Sequence, residues 1–363
     1  MGIHIETHFF LGANSPAGYC SLYDRFVDIL TGENIYILKG GPDRGKSAFM
    51  KIIADNISAS GYSTEFIHCS GDPDSLDGVK FPELGIAFAD GAAPHVAELV
   101  LPGATGSYID LGAYTDSDAL RPHRERLLSL CGEYKLQNER AFSLISAAYS
   151  AMDGIYDSLV TEAVRSIIAK RTRGILSREL RSSGKAMAGK TNLRFLGALT
   201  GKGHVCLWDT VKALASRIYT LDNEFGLSHL MLKDIAETAS SRGYETVLCP
   251  SPLCPEKLEH CIIPELSLAF VSITGDLPYP GDSYRHIRLD ALPDNSLLSG
   301  LKRHAALCRK CSDSLYSEAI RVLDFANTIR SDIESIYTPH VDFDKIYALA
   351  QIYTEKILPK SAL

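Results

Sequence analysis

The run Ile35-Tyr36-Ile37-Leu38-Lys39-Gly40-Gly41-Pro42-Asp43-Arg44-Gly45-Lys46-Ser47 constrains this chain more than any other stretch. Four apolar residues lead into Gly40, four more residues follow, and Gly45-Lys46-Ser47 closes the pattern of a phosphate-binding loop. The context is the one such a loop requires, a strand before it and a helix after it. The helix is expected from Phe49, Ile52, Ile53 and Ile57, which share one face, and it stops at Gly61. Gly40, Gly41 and Gly45 let the backbone curl so that successive N–H groups and a helix N-terminus face an anion. Lys46 is expected to reach the β- and γ-phosphates, and Ser47 to ligate Mg²⁺. The binding segment is Gly40, Gly41, Pro42, Asp43, Arg44, Gly45, Lys46, Ser47 and Ala48. Asp43 stands where glycine is common, and aspartate tolerates left-handed backbone better than most residues. The pattern predicts a nucleoside-triphosphate site.

A second strand is expected over Thr64 to Cys69, then an acidic loop from Ser70 to Gly78. Pro82-Glu83-Leu84 introduces a further strand, residues 85–90, that ends in Asp90. An apolar strand ending in aspartate suits the magnesium-side carboxylate of such sites, against the plainer role of starting a turn. Asp72, Asp74, Asp77 and His95 follow strand ends and are candidates for orienting water; a turn or helix-cap role competes for each, and Asp74 fits an N-cap. Lys46, Asp90, His95 and Asp72 form the candidate catalytic set. From Asp116 to about Arg181 the spacing turns helical.

The second half repeats the first. Phe10-Leu11-Gly12-Ala13 returns as Phe195-Leu196-Gly197-Ala198, Ile35-Tyr36 as Ile218-Tyr219, and Gly61-Tyr62 as Gly243-Tyr244, offset by 185, 183 and 182 residues. Pro82-Glu83-Leu84 returns as Pro264-Glu265-Leu266, and Ile155-Tyr156 as Ile336-Tyr337. Shared order over this length indicates tandem duplication. The copies differ chemically. Opposite the first loop stands Asp222-Asn223-Glu224-Phe225-Gly226-Leu227-Ser228-His229, without lysine and with two acids, and Asp90 aligns with Ser272. Carboxylates facing phosphate repel it, so the second copy is expected to keep the fold and lose the ligand.

The quoted residues also resemble a bacterial family of tandem-duplicated P-loop ATPases. His8 to Ala13 with Pro16 and Gly18, Asp72-Pro73-Asp74-Ser75-Leu76-Asp77-Gly78, and Ala93-Pro94-His95 are similar to it along essentially the whole chain. The resemblance implies a three-layer α/β/α P-loop NTPase fold and ATP with Mg²⁺, not a pathway. Asp43-Arg44 departs from the family's Gly-Thr, and members often keep a second Gly-Lys-Ser/Thr loop that is missing here.

The expected organisation is a P-loop domain over 1–183 with a helical extension over 116–181. A degenerate copy over 190–363 follows, with its own extension over 297–358. Each is expected to hold a parallel sheet. The function expected is Mg-dependent ATP hydrolysis in the first copy. The alternatives are a kinase acting on a nucleotide or small molecule and a nucleotide-controlled binding module, with a protein partner or small-molecule acceptor unidentified. A net charge of −7 argues against nucleic acid as partner. The Lys/Arg-rich stretch from Arg165 to Arg194 reads as a solvated helix end and tether. No apolar run approaches a membrane span, and no signal peptide is evident. Nine irregularly spaced cysteines fit reduced thiols in a cytoplasmic protein. Cys308 and Cys311 near His304, and Cys249, Cys254 and Cys261, resemble partial zinc sets; buried thiols are the favoured reading.

Overall fold

The computed structural model describes residues 4–28, 32–42, 44–92, 98, 99, 101–181, 183–185 and 187–359. In the first half, β1 (Glu6–Phe10) precedes a hairpin of β2 (Gly12–Ser15) and β3 (Gly18–Ser21). Then follow β4 (Asn34–Lys39), α1 (Gly45–Ala59), β5 (Thr64–His68), β6 (Leu76–Phe81), β7 (Ile86–Asp90) and β8 (Gly106–Asp110). The half closes with α2 (Ser117–Leu120), α3 (Arg124–Met152) and α4 (Glu162–Glu179). The second half repeats this as β9 (Thr191–Leu193), the hairpin β10 (Gly197–Thr200) and β11 (Gly203–Cys206), α5 (Trp208–Leu214), β12 (Arg217–Asp222) and α6 (Ser228–Ser241). It continues with β13 (Thr246–Ser251), β14 (Cys254–Ile263), β15 (Leu268–Ile273), β16 (Arg285–Ile287), α7 (Asn295–Tyr337) and α8 (Phe343–Ile357).

Each half builds one six-stranded sheet, ordered β1-β5-β6-β7-β4-β8 and β9-β13-β14-β15-β12-β16. The two orders correspond strand for strand. Both sheets are mixed rather than parallel, because β6 and β14 run antiparallel to both neighbours. The sequence pattern hid β6, since Asp77, Gly78 and Lys80 interrupt its apolar residues. All six of its residues are nevertheless buried. Lys80 tolerates this because Nζ donates to Glu33 at 2.7 Å and to the Phe26 carbonyl at 3.2 Å. Among the described residues before Gly32, a single 3-10 turn, Tyr23–Arg25, stands where the second half has α5.

The helical extensions cross over. Ile346, Ala350 and Ile357 of α8 join Phe49, Met50, Ile53 and Ile57 of α1 in the first half's core. Val164, Ile168, Ile175 and Leu176 of α4 join Met231, Leu232 and Ile235 of α6 in the second half's core. The long helices α3 and α7 pack along one another. At the junction of the halves, Phe10 N–H donates to the Phe195 carbonyl and Phe195 N–H to the Phe10 carbonyl, both at 2.9 Å. These are matching residues of the two copies, so the halves meet about a pseudo-twofold axis. Among the described residues, no helix is long and apolar enough to cross a membrane.

Candidate functional site

The site begins where β4 ends. Ile37 and Leu38 anchor the strand in the core, and the chain turns at Gly40, where a Cβ would lie 3.4 Å from both the Gly112 nitrogen and Leu111 Cβ. That spacing is tight, so glycine suits the close approach of β4 to the end of β8. Helix α1 starts at Gly45, its N-cap Arg44 contributes no side-chain cap, and its first turn holds no acid. The partial positive charge of that helix end therefore goes unopposed by its own first turn. Ala48 N–H closes the first turn onto the Arg44 carbonyl at 3.0 Å. Pro42 and Arg44 are exposed.

Lys46 and Ser47, by contrast, are 4% and 8% exposed. Lys46 Nζ donates to the Gly41 carbonyl at 2.8 Å and lies 3.6 Å from Asp90 Oδ1. The pairing register explains this, because β4 and β7 are adjacent parallel strands with Leu38 opposite Asp90. Asp90 Oδ1 also accepts from Ala92 N–H at 2.7 Å, a turn-starting bond, so the carboxylate serves turn and lysine together. Ser47 Oγ accepts from Leu76 N–H at 3.0 Å, which ties α1 to the start of β6. Hydroxyl and carboxylate oxygens are the hard donors that magnesium takes, usually one or two from protein and the rest from phosphate and water. Among the described residues, no group of three or more His, Cys, Asp or Glu could hold a metal by itself. Ser47 and Asp90 each carry an oxygen of that kind, one on α1 and one at the end of β7.

The structure separates the remaining candidates. Asp43 and His95 lie outside the described residues. Asp72 serves the turn before β6: its carbonyl accepts from Ser75 N–H at 2.9 Å and Oδ1 from Asp74 N–H at 3.4 Å. Asp74 caps no helix, because β6 follows it; it pairs with Lys202 of the second half at 2.5 Å. Asp77 is 3% exposed within β6. The ring of His68 holds the same turn, with Nδ1 2.7 Å from the Pro73 carbonyl, and burial lowers its pKa. The cysteines divide: Cys249 and Cys261 are buried, Cys254 and Cys308 are half-buried, and Cys311 is exposed because its side of α7 faces outward.

Sequence reading missed what lies over the loop. Helix α7 of the second half crosses it, and Glu334 accepts from Arg44 Nε and from Arg330 Nε, both at 3.0 Å. Arg330 Nη1 also reaches Cys69 Sγ at 3.4 Å. Arg330 and Glu334 are four residues apart, which in sequence looks like an ordinary helix-surface ion pair. Their contacts to Cys69 and Arg44 span 261 and 290 residues.

The matching place in the second half is occupied by the chain itself. Leu221 stands opposite Ser272 as Leu38 stands opposite Asp90. Ser272 Oγ bonds Ser228 Oγ at 2.7 Å, where the first half has Asp90 and Lys46. Ser228 N–H at the start of α6 donates to Asn223 Oδ1 at 3.1 Å, so a side-chain oxygen satisfies that helix end. Asp222 and Glu224 are paired: Asp222 with His286 at 3.0 Å, and Glu224 with both Arg309 terminal nitrogens at 3.0 Å. Burial pushes Asp290, beside them, up to about 6, against the 3.0 Å bond it accepts from Glu224 N–H. Comparison with family models, with curated proteins and with solved structures finds no match, so the functional reading rests on this geometry.

Proposed function

We propose that this chain is a P-loop ATPase that binds one Mg-ATP at Gly40–Ser47, with a second half that is a degenerate P-loop copy. One observation carries the reading. Buried Lys46 lies 3.6 Å from the strand-end carboxylate Asp90 on adjacent parallel strands, at the start of a helix. Backbone N–H groups of the loop and Lys46 would hold the phosphates, and their fixed charge matches that spread over the transferring group. Magnesium on Ser47 and Asp90 would neutralise phosphate charge. In hydrolysis a water oxygen would bond to the γ-phosphorus as the bond to the bridging oxygen breaks; that bond's electron pair leaves with ADP, and a proton of the water passes to an oxygen of the released phosphate. In the second half, the bonds from Asn223, Ser272 and Arg309 replace those a phosphate would make.

Direct pairing of β4 with β7 keeps a second reading open, transfer to an acceptor other than water, since it is compatible with kinase-like P-loop architecture. Phosphate release without an added acceptor separates the two. Lys46→Ala tests the site itself. Losing a charge-assisted bond to each of two phosphates removes roughly 3–6 kcal/mol, about 10²- to 10⁴-fold in affinity. Wild-type affinity of the variant for a fluorescent ATP analogue, with its circular dichroism unchanged, overturns the assignment.

A further inference from the structure

Two arginines converge on one carboxylate at the start of α1. Glu334 is 7% exposed and divides its oxygens between Arg44, the N-cap of α1, and Arg330. Arg330 is joined to the loop from the other side as well. It touches Cys69, and the turn that begins at Cys69 ends at Leu76, whose N–H holds Ser47. A Cβ placed on Gly71 in that turn would lie 3.6 Å from Arg330 Nη1. Arg330 therefore stands between Glu334, the partner of Arg44, and the turn whose far end carries the Ser47 contact.

The partners of Arg330 are unequal. Nε has a charged one in Glu334. Nη1 has Cys69, a thiol that burial pushes up to about 12 and so keeps neutral. A neutral thiol is a weak acceptor, and a phosphoryl oxygen is a much stronger partner for a guanidinium. The side chain is 27% exposed, enough to turn while its α7 backbone stays fixed.

We propose that Arg330 is a catalytic arginine that the second half supplies to the first, exchanging Cys69 for an oxygen of the transferring γ-phosphoryl group. The inference rests on the nucleotide reading above and assigns the degenerate half a task. Glu224 in the former loop clamps Arg309 of α7, and Arg330 lies 21 residues further along the same helix, roughly 32 Å away. The loop that lost its phosphate chemistry thus anchors the helix that delivers the arginine. Glu334 acts as a positioning residue for it.

The test compares wild type, Arg330→Ala and the charge-keeping Arg330→Lys, with binding of fluorescent Mg-ADP measured with and without aluminium fluoride. The complex with fluoride mimics the transferring phosphoryl group. In wild type, fluoride is expected to tighten binding on the order of 100-fold. Both variants are expected to hold Mg-ADP within about threefold of wild type. Arg330→Ala should lose nearly all of the tightening and Arg330→Lys at least about tenfold of it, since lysine lacks the planar fork. Phosphate release should fall roughly 10³-fold in Arg330→Ala. Full tightening in both variants refutes the role of Arg330 and leaves the nucleotide site standing. Loss of Mg-ADP affinity in step with the tightening also refutes it, because Arg330 would then only shape the loop. Wild type that binds no Mg-ADP refutes the nucleotide reading and this inference together.

Discussion

Arg194→Met cuts a buried polar link between the halves while keeping an apolar stem. Arg194 is 1% exposed and sits just after β9, yet most of its partners belong to the first half. Nε meets Glu65 of β5 at 2.5 Å, Nη1 donates to the carbonyls of Arg25 and Leu193 at 3.1 and 2.8 Å, and Nη2 reaches that of Phe26 at 3.4 Å. The guanidinium also lies 5.6 Å from the Phe26 ring centroid. Methionine leaves Glu65 charged without its partner and three carbonyls without that donor. Removing one member of a buried pair costs about 3–5 kcal/mol. Adding Glu65→Gln discharges the orphan and should recover about 1–3 kcal/mol. The assay is urea unfolding followed by far-ultraviolet circular dichroism and by fluorescence of Trp208, the chain's single tryptophan, at the junction of the halves. The two signals should change together, with the midpoint lowered and the slope kept. A loss under about 1 kcal/mol, or signals that part already in wild type, refutes the fusion of both halves into one cooperative unit.

Two further predictions concern the carboxylate of the site and the second half's core. Asp90→Asn should weaken the magnesium dependence of nucleotide binding by about tenfold or more, one step of 1.4 kcal/mol, while metal-free affinity changes less; equal loss with and without metal reduces Asp90 to a turn residue. His260 is 1% exposed, neither ring nitrogen has a hydrogen-bond partner among the described residues, and burial lowers its pKa to about 3. The unfolded chain binds that proton from about pH 6.5 downward, so the contribution of His260 to stability should fall as pH drops from about 6.5 to 3, by up to about 1.4 kcal/mol per unit. Neighbouring Glu259, which burial raises to about 7, contributes in the opposite direction above about pH 4.5. His260→Leu should flatten that acid slope in denaturant titrations, and an unchanged slope contradicts the assignment.

What the sequence made legible was local or repeated. The apolar quartet before Gly40 and the helical spacing after Ser47 each act within a few residues, and β4 and α1 stand where they imply. The duplication was legible because packing and turn residues such as Phe10/Phe195 and Pro82/Pro264 must keep their order for each half to build its sheet. Strand β6 was not, because its buried Lys80 needs Glu33, 47 residues away, to be tolerable. Nor was the crossing of α4 and α8, since an amphipathic face does not name the surface it will cover. Asp222 and Glu224 read as repulsive because His286 and Arg309, which pair with them, lie 64 and 85 residues further along. The placing of Arg330 beside the first loop depends on the whole length of α7 and on the meeting of both halves.

The most direct measurement is titration calorimetry of the intact chain with a slowly hydrolysed ATP analogue in magnesium. The second half has filled its own loop with Asn223, Ser228, Ser272 and the Glu224–Arg309 pair, whereas the first presents Lys46, Ser47 and Asp90. A stoichiometry near one is expected, with the binding heat abolished by Lys46→Ala. A stoichiometry near two, heat that survives Lys46→Ala, or no binding at all would contradict that expectation.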